Sequence, residues 1–266
     1  TTSPLLLETG EKVGVILVLR DLTNIRDLER AVRQADRLSS LGTLAAGLAH
    51  EIKNPLGGIK GAAQLLEQEL PGESDLRDYT RIMIKEVRRV NRIVEELLDL
   101  ASPRKIKLDR VNLHKTIGDI MVLQKRATVG KNVAFRQQFD PSIPPILGDE
   151  ALLTQLFLNL IRNAVEAVGN EGTVQVTSRV VSDYSMSQNW ERRSRMVALE
   201  VSDDGPGIPK EQMENLFTPF FTTKAKGTGL GLAICQKIVL EHRGMIKVES
   251  ERQKGTTFTV MLPLIQ

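Results

Sequence analysis

A histidine followed directly by a glutamate, in the run HEIKNP at 50–55, is the feature of this chain with the clearest chemistry. A neutral imidazole is largely deprotonated at neutral pH and is a competent nucleophile. Glu51 can accept a hydrogen bond from one ring nitrogen of His50 while the other nitrogen acts as the nucleophile. Asn54 follows one helical turn later, on the same face, where its amide can position a water molecule. An isolated helix histidine is more often a surface residue without a role, so the downstream motifs decide between the two interpretations.

A glycine-rich run, GTGLGL at 227–232, lies just before a predicted helix. Phosphate binding needs backbone N–H donors that approach closely, which favours residues without a Cβ and a helix N-terminus. Glycine pairs before helices also serve packing, so this run alone leaves both interpretations open. DDGPGIP at 203–209 follows a predicted strand and favours a nucleotide site. Asp203 can accept a hydrogen bond from an adenine amino group, and Gly205 and Gly207 let the base approach.

Two asparagines, Asn159 and Asn163, lie four positions apart in a predicted long helix and therefore share one face. Magnesium usually keeps water and phosphate oxygens and takes few protein ligands, so Asn163 with a triphosphate is chemically sufficient. The alternative is a pair of solvent-facing amides. Apolar residues on the neighbouring faces, such as Leu156 and Leu160, indicate instead a helix that is buried on one side with the amides at its edge.

Positioning these motifs requires a helical part followed by mixed α and β structure. Apolar spacing predicts a strand at 12–21, then a coiled-coil seam that continues with a phase slip between Val32 and Leu41; this stretch is either a relay element or an ordinary irregular helix. The helix that carries this seam ends at the PGESD turn, 71–75, and is predicted to form an antiparallel hairpin with a second helix that ends at Ser102 and Pro103. Neither helix can bury both its seam and its flanks alone. We therefore expect a two-fold dimer that forms a four-helix bundle.

The remaining chain is predicted to form a helix layer on a mixed sheet. Predicted helices cover 113–127, 149–168 and 230–241, and predicted strands cover 132–139, 173–181, 196–202, 245–249 and 256–262. The polar segment 182–194 is predicted to be a hairpin insertion. We assign no function to Trp190, His114 or His242.

Composition excludes several classes of function. The 36 basic and 33 acidic residues are interspersed and leave a net charge of +3, so nucleic-acid binding is not expected. Cys235 is the only cysteine, which excludes an intramolecular disulfide and fits a cytoplasmic, reducing compartment. No apolar run approaches the ~18 residues of a membrane span, so no membrane contact by this chain is expected. Because the chain begins at Thr1 inside a predicted strand, we expect a preceding sensor or membrane anchor.

The motifs HEIKNP, NLIRNA, DDGPGI, LFTPFFTTK and GTGLGL occur in the order found in sensor histidine kinases of two-component systems, and the chain resembles this family over 38–263. The runs GLAHEIKNPLGGIKGAAQLL and DPSIPPILGDE are most similar to the nitrogen-regulation (NtrB-like) branch. The resemblance implies an α+β chain, in which a dimeric antiparallel helical hairpin precedes a Bergerat-type α/β sandwich that binds ATP. It implies four parts: a C-terminal remnant of a PAS-like sensor at 1–21, a coiled-coil signalling helix at 22–37, a dimerisation and histidine phosphotransfer domain at 38–103 and a catalytic ATP-binding domain at 104–266.

Carried over by position, the resemblance makes His50 the phosphoacceptor, Asn163 the Mg²⁺ ligand and Asp203 the adenine contact. Phe217, Pro219 and Phe220 resemble the family's lid-anchoring phenylalanine motif. The rest of the ATP pocket and its lid fall on Asn159, Gly205, Gly207, Thr222, Thr223, Lys224, Gly227, Thr228, Gly229, Leu230 and Gly231. Glu166 departs from the family pattern, because many relatives carry a basic residue three positions after the magnesium asparagine.

The implied activity is ATP-dependent phosphorylation of His50 and transfer of the phosphoryl group to an aspartate of a response regulator, NtrC-like by resemblance. Dephosphorylation of that partner through Asn54, and binding of a PII-type regulatory protein, are further expectations. One alternative is an ATP hydrolase, but Asn159 stands where related ATPases carry a catalytic glutamate, and an amide cannot accept a proton. Another is a nucleotide-binding scaffold or a phosphatase-biased regulator with little kinase activity. The basic run KEVRRVNR at 85–92 either docks a partner or forms a solvated helix face.

Overall fold

The computed structural model describes residues 2–6, 12–17, 52–70, 75–101, 106–184, 194–224 and 227–264. At the N-terminal end, strands β1 (Thr2–Leu6) and β2 (Lys12–Leu17) pair in antiparallel fashion. The first part of the strand predicted at 12–21 is therefore confirmed. The predicted coiled-coil seam and its phase slip lie outside the described residues.

Two antiparallel helices follow, as the apolar spacing predicted. The described part of α1 covers 52–69, and α2 covers Asp75–Ala101. Lys53 Nζ lies 3.1 Å from Glu95 Oε1 at one end of the pair, and Arg81 Nε lies 3.4 Å from Glu67 Oε1 at the other. Their shared interior buries Ala63, Ile84, Val87 and Val94. Among the described helices, none combines the length and the apolar character that a bilayer crossing requires.

A five-stranded mixed sheet with helices packed against it forms the second half, which confirms the predicted fold class. Its strand order is β4-β6-β7-β9-β8, and β4 and β6 are parallel whereas the other neighbours are antiparallel. The strands are β4 (Asn132–Phe139), β6 (Glu171–Tyr184), β7 (Ser194–Asp203), β8 (Met245–Glu251) and β9 (Gly255–Pro263). The helices α3 (Leu113–Ala127), α4 (Glu150–Val168) and α6 (Gly231–Glu241) contribute the apolar side chains that share one core with the sheet.

Three short elements were not predicted. Strands β3 (Asp109–Val111) and β5 (Ile146–Gly148) form a two-stranded antiparallel ribbon, and α5 (Lys210–Met213) is a single helical turn. Each is too short to show a hydrophobic period. Strands β6 and β7 are longer than predicted and extend into the 182–194 segment, of which residues 185–193 lie outside the described part.

Two histidines join elements of this half of the chain. His242 is buried, its Nδ1 donates to Ile238 O at 2.7 Å, and its Nε2 accepts from the Asp149 amide at 2.9 Å. His114 stacks on Phe139 with ring centroids 4.6 Å apart, and burial is the main cause that lowers its pKa. We assign both rings a structural role.

Candidate functional site

The surface of α4 carries the two asparagines. Asp149 caps this helix, because its Oδ1 accepts from the amides of Ala151 at 3.1 Å and Leu152 at 3.2 Å. One side of α4 is buried in the core, and Asn159 and Asn163 lie half-buried beside it. The structure therefore favours the edge position that the sequence predicted for these amides.

Asp203 ends strand β7 and lies half-buried at the floor of the site. Burial raises the pKa of its carboxyl group, and the negative charge of Asp204 acts in the same direction. Hydrogen bonds from the amides of Gly205 and Thr256, together with the charge of Lys224, oppose this rise. A half-buried carboxylate with acceptor capacity left is suited to receive a hydrogen bond from a base amino group.

The loop after Asp203 is held close to its neighbours by glycines. A Cβ on Gly205 would lie 3.1 Å from Ala167 of α4, and a Cβ on Gly207 would lie 2.2 Å from Glu251 O. Gly207 also has a φ of 69°, which an L side chain rarely adopts. Only residues without a side chain let this loop lie between α4 and the β8–β9 turn.

The second glycine run lies opposite α4 and leads into α6. Gly229 has a φ of 70°, and the Gly229 carbonyl accepts from the Phe220 amide at 3.0 Å, which links the phenylalanine motif to the glycine run. The start of α6 has no side-chain cap, so its first amides remain available to an anion. A Cβ on Gly231 would lie 4.0 Å from the Asn159 amide group. The predicted phosphate loop and the asparagine helix are thus brought together.

Lys224 bridges the two sides of this site. Its Nζ lies 2.5 Å from Glu166 Oε2 and 3.3 Å from Asn163 Oδ1. Its backbone is held in a turn, because the Lys224 amide donates to Thr222 Oγ1 at 3.1 Å and the Lys224 carbonyl accepts from Gly227 at 3.1 Å. The exposed Thr223 lies in the same segment, and residues 225–226 lie outside the described part.

A contact with the helical hairpin adds a residue that the sequence did not predict. Thr228 Oγ1 donates to Glu96 Oε2 of α2 at 2.6 Å, and the Leu230 amide donates to Thr228 Oγ1 at 3.3 Å. Lys237 Nζ of α6 also donates to the carbonyl oxygens of Asp99 at 2.8 Å and Leu100 at 3.0 Å, near the end of α2. The glycine run therefore touches α2 directly. Glu96 resembles any other charged residue of an exposed helix, so no sequence signal marked it.

The predicted phosphotransfer residues are only partly described. His50 and Glu51 lie outside the described residues, whereas Asn54 is exposed near the start of the described part of α1. The neighbouring Lys53 is tied to Glu95 of α2, as described above. An exposed amide on this helix is accessible to a partner protein.

Two protein families match this chain. Residues 148–266 match the family described as histidine kinase-, DNA gyrase B-, and HSP90-like ATPase, and residues 40–105 match the His Kinase A (phospho-acceptor) domain. Strands β6 to β9 with α4, α6 and the two glycine loops therefore belong to an ATPase-type domain, and the hairpin belongs to a phospho-acceptor domain.

Individual relatives agree with these matches. The chain is 36% identical to the signal transduction histidine-protein kinase AtoS of Escherichia coli strain K12, over 99% of this chain and 41% of that protein. It is also 36% identical to the sensory histidine kinase/phosphatase NtrB of Rhizobium leguminosarum bv. phaseoli, over 98% of this chain and 67% of that protein. A crystal structure of histidine kinase ThkA in complex with response regulator protein TrrA is similar with a TM-score of 0.61 and 32% identity, over 99% of this chain and 74% of that chain.

These findings define a chain in which a phospho-acceptor hairpin precedes an ATPase-type domain. The chain belongs to the sensor histidine kinase family. It spans less than half the length of AtoS, at 41%.

Proposed function

We propose that this chain is an ATP-dependent protein histidine autokinase that phosphorylates His50 and passes the phosphoryl group to an aspartate of a response regulator. The observation that supports it most is the convergence of Asn163, Asp203 and the 227–232 glycine run around one site, in contact with the hairpin that carries the HEIKNP motif. The proposed phosphotransfer domain covers 38–103, and the proposed ATP-binding domain covers 104–266. The PAS-like remnant at 1–21 and the signalling helix at 22–37 remain part of the same proposal.

In the proposed reaction, one ring nitrogen of His50 attacks the γ-phosphorus of ATP in line with the leaving oxygen. The bond between the γ-phosphorus and the bridging oxygen breaks, and ADP leaves. Glu51 accepts the hydrogen bond, and then the proton, of the other ring nitrogen, which keeps the ring from accumulating positive charge. The amides of Gly229 and Gly231 are candidates to stabilise the transferred phosphoryl group.

Asn163 is the proposed ligand of Mg²⁺. Its amide oxygen is a hard donor, and the ammonium group of Lys224 already lies 3.3 Å from it, so the site accepts a positive charge at this oxygen. Bound Mg²⁺ would neutralise charge on the phosphates. Asn159 lies on the same face of α4 as Asn163 and close to the start of α6. Because its amide cannot accept a proton from water, we expect slow intrinsic hydrolysis of ATP.

Dimerisation of the hairpin is supported by its exposed apolar side chains. Among the most exposed are Leu65 at 63%, Tyr79 at 59% and Ile82 at 57%. A second copy that covers this surface would form the proposed four-helix bundle. Sedimentation velocity at micromolar concentration is expected to give a dimer, and a monomer would contradict this part of the proposal.

The proposed partner is a response regulator receiver domain, NtrC-like by similarity to the NtrB relative, and a PII-type protein is a further candidate. The Rhizobium relative is named as a kinase/phosphatase, and the exposed Asn54 is our candidate for the residue that positions water against a partner's acyl phosphate. The single buried Cys235 fits a cytoplasmic setting for this chain.

The test is incubation of the chain with γ-labelled ATP and Mg²⁺ beside His50→Gln. We expect protein-bound label that resists alkali, is lost in acid, and is absent from the variant. Label in both proteins would mean that a residue other than His50 accepts the phosphoryl group. ATP binding without label would favour the nucleotide-binding scaffold or the phosphatase-biased regulator, and rapid release of free phosphate would favour the hydrolase.

A further inference from the structure

Glu166 has no place in the proposed reaction, yet it makes the shortest polar contact in the candidate site. Its Oε2 lies 2.5 Å from Lys224 Nζ across 58 positions of sequence. Its Oε1 lies 3.7 Å from Arg162 Nε, a buried atom that has no hydrogen-bond partner among the described residues. A carboxylate that faces two cations inside a predicted phosphate site requires an explanation, because phosphates would be repelled by it.

The arrangement on α4 supplies this explanation. Asn163 and Glu166 are three positions apart and therefore neighbours on the helix surface. The ammonium group of Lys224 lies between them, 2.5 Å from the carboxylate and 3.3 Å from the amide oxygen. The contact with Asn163 is the weaker of the two, both in distance and because the amide carries no charge. A metal ion at Asn163 can therefore replace the ammonium group there without breaking the pair with Glu166.

The backbone of Lys224 is fixed independently of this pair. Its amide donates to Thr222 Oγ1, its carbonyl accepts from the Gly227 amide, and a Cβ on Gly227 would lie 2.5 Å from Thr222 Oγ1. With the backbone fixed, the remaining freedom of Lys224 is that of its long side chain, which Glu166 restricts. The pair with Glu166 thus keeps the ammonium group at the part of the α4 surface that carries Asn163.

We propose that Glu166 is a positioning residue that tethers Lys224 beside Asn163, so that the Lys224 ammonium group binds the terminal phosphate of the nucleotide. This inference rests on the proposed function of the site as a nucleotide pocket. The lysine of the lid segment then supplies the positive charge that many relatives carry on the helix itself, at the position of Glu166. The carboxylate acts on the phosphate only through Lys224, and it reduces the side-chain entropy that the lysine loses on binding.

The test compares the affinities of the chain for AMPPNP and for ADP, each with Mg²⁺, by calorimetric titration. The two nucleotides differ in the terminal phosphate, so a role there changes AMPPNP binding and spares ADP. We expect Lys224→Met to weaken AMPPNP about tenfold or more, as for loss of a charge-assisted hydrogen bond. Glu166→Gln is expected to weaken AMPPNP about two- to fivefold, because the pair is half-exposed. Both variants should bind ADP within about twofold of the unchanged chain.

The double variant identifies Glu166 as a residue that acts through Lys224. Once Lys224 is replaced, loss of the carboxylate should weaken AMPPNP by no more than about a further twofold. Glu171→Gln, which removes an exposed carboxylate at the start of β6, is the matched control and should bind both nucleotides normally. Melting temperatures of all variants check that each is folded.

Three results would overturn the inference. If Glu166→Gln binds AMPPNP as tightly as the unchanged chain or more tightly, the ion pair of Glu166 with Lys224 either makes no contribution to binding or opposes it. Equal losses for ADP and AMPPNP in Lys224→Met would remove the contact with the terminal phosphate. Additive losses of affinity in the double variant would mean that Glu166 affects AMPPNP binding independently of Lys224. Failure of the proposed function has a different signature: no binding of either nucleotide rejects the pocket and this inference together, whereas normal binding without label on His50 rejects only the kinase.

Discussion

The buried contact between His242 and the start of α4 gives a prediction whose size follows from the hydrogen bonds. His242 Nε2 accepts from the Asp149 amide at 2.9 Å, and Nδ1 donates to Ile238 O at 2.7 Å. The Ile238 carbonyl keeps a second donor, the His242 amide at 3.1 Å, whereas the Asp149 amide has no second acceptor among the residues that the structure describes. His242→Leu fills the space with an apolar side chain and removes both hydrogen bonds of the ring, so the Asp149 amide loses its acceptor.

The expected loss combines the Nδ1 hydrogen bond to Ile238 O, about 1 kcal/mol, with the part-buried Asp149 amide left without a partner, about 1–3 kcal/mol. We therefore expect His242→Leu to lower the free energy of unfolding by about 2–4 kcal/mol. The assay is urea unfolding followed by far-UV circular dichroism, with hydrogen exchange of the Asp149 amide as the local measurement.

His242→Gln is the matched control for this contact. The side-chain amide oxygen of glutamine can reach the position of Nε2 and accept from the Asp149 amide, so we expect about half of the loss and partial protection of that amide from exchange. A loss below about 1 kcal/mol in His242→Leu, or equal losses in the two variants, would refute the assignment of this hydrogen bond as the main contribution of the side chain.

Three further predictions concern the nucleotide domain. Burial raises the pKa of the Asp203 carboxyl, so its contribution to stability falls as the pH rises from the ordinary carboxyl value through the raised one. Asp203→Asn should remove this pH dependence in thermal melts and leave stability at neutral pH undiminished; a destabilised variant would contradict the argument. In calorimetry the same variant should bind AMPPNP about tenfold or more weakly. Gly207→Ala should lower the free energy of unfolding by more than about 1 kcal/mol, because the Cβ would lie 2.2 Å from Glu251 O at a φ of 69°. Gly118→Ala in α3, where the Cβ meets nothing within 4 Å, should instead stabilise by about 0.5–1 kcal/mol in the same urea assay. Burial raises the pKa of Cys235 to about 12, so a thiol reagent at neutral pH should label the unfolded chain and spare the folded one; fast labelling of the folded chain would contradict this burial.

The sequence predicted those elements whose length exceeds one hydrophobic period. Helix α3 and strand β4 have the predicted bounds, since each presents a regular apolar pattern to one core. Strands β3 and β5, of three residues each, were missed because so short a segment has no period. The position of β9 between β7 and β8 was likewise not predictable, because an apolar pattern identifies a strand but not its neighbours.

The sequence predicted the residues of the candidate site that belong to a contiguous motif, but not the contacts between residues that are far apart in the chain. Glycines that must approach a neighbour, such as Gly207, are recognisable from their motif. The contact between Glu166 and Lys224 joins residues 58 positions apart, and that between Glu96 and Thr228 joins residues 132 apart. Glu166 at least departed from the family pattern, whereas nothing in the sequence distinguishes Glu96 from the other acidic residues of α2.

The place of β9 in the sheet has a consequence for the synthesis of this protein on the ribosome. β9 follows every other described strand in chain order, yet it pairs with β7 and supplies the Thr256 amide that binds the Asp203 carboxyl. A growing chain therefore completes the hairpin helices well before the floor of the nucleotide pocket can form. Until Gly255–Pro263 has emerged from the ribosome, nucleotide cannot stabilise the nascent domain by binding to the proposed pocket. A chain truncated before this strand would lack that pocket and would keep the hairpin.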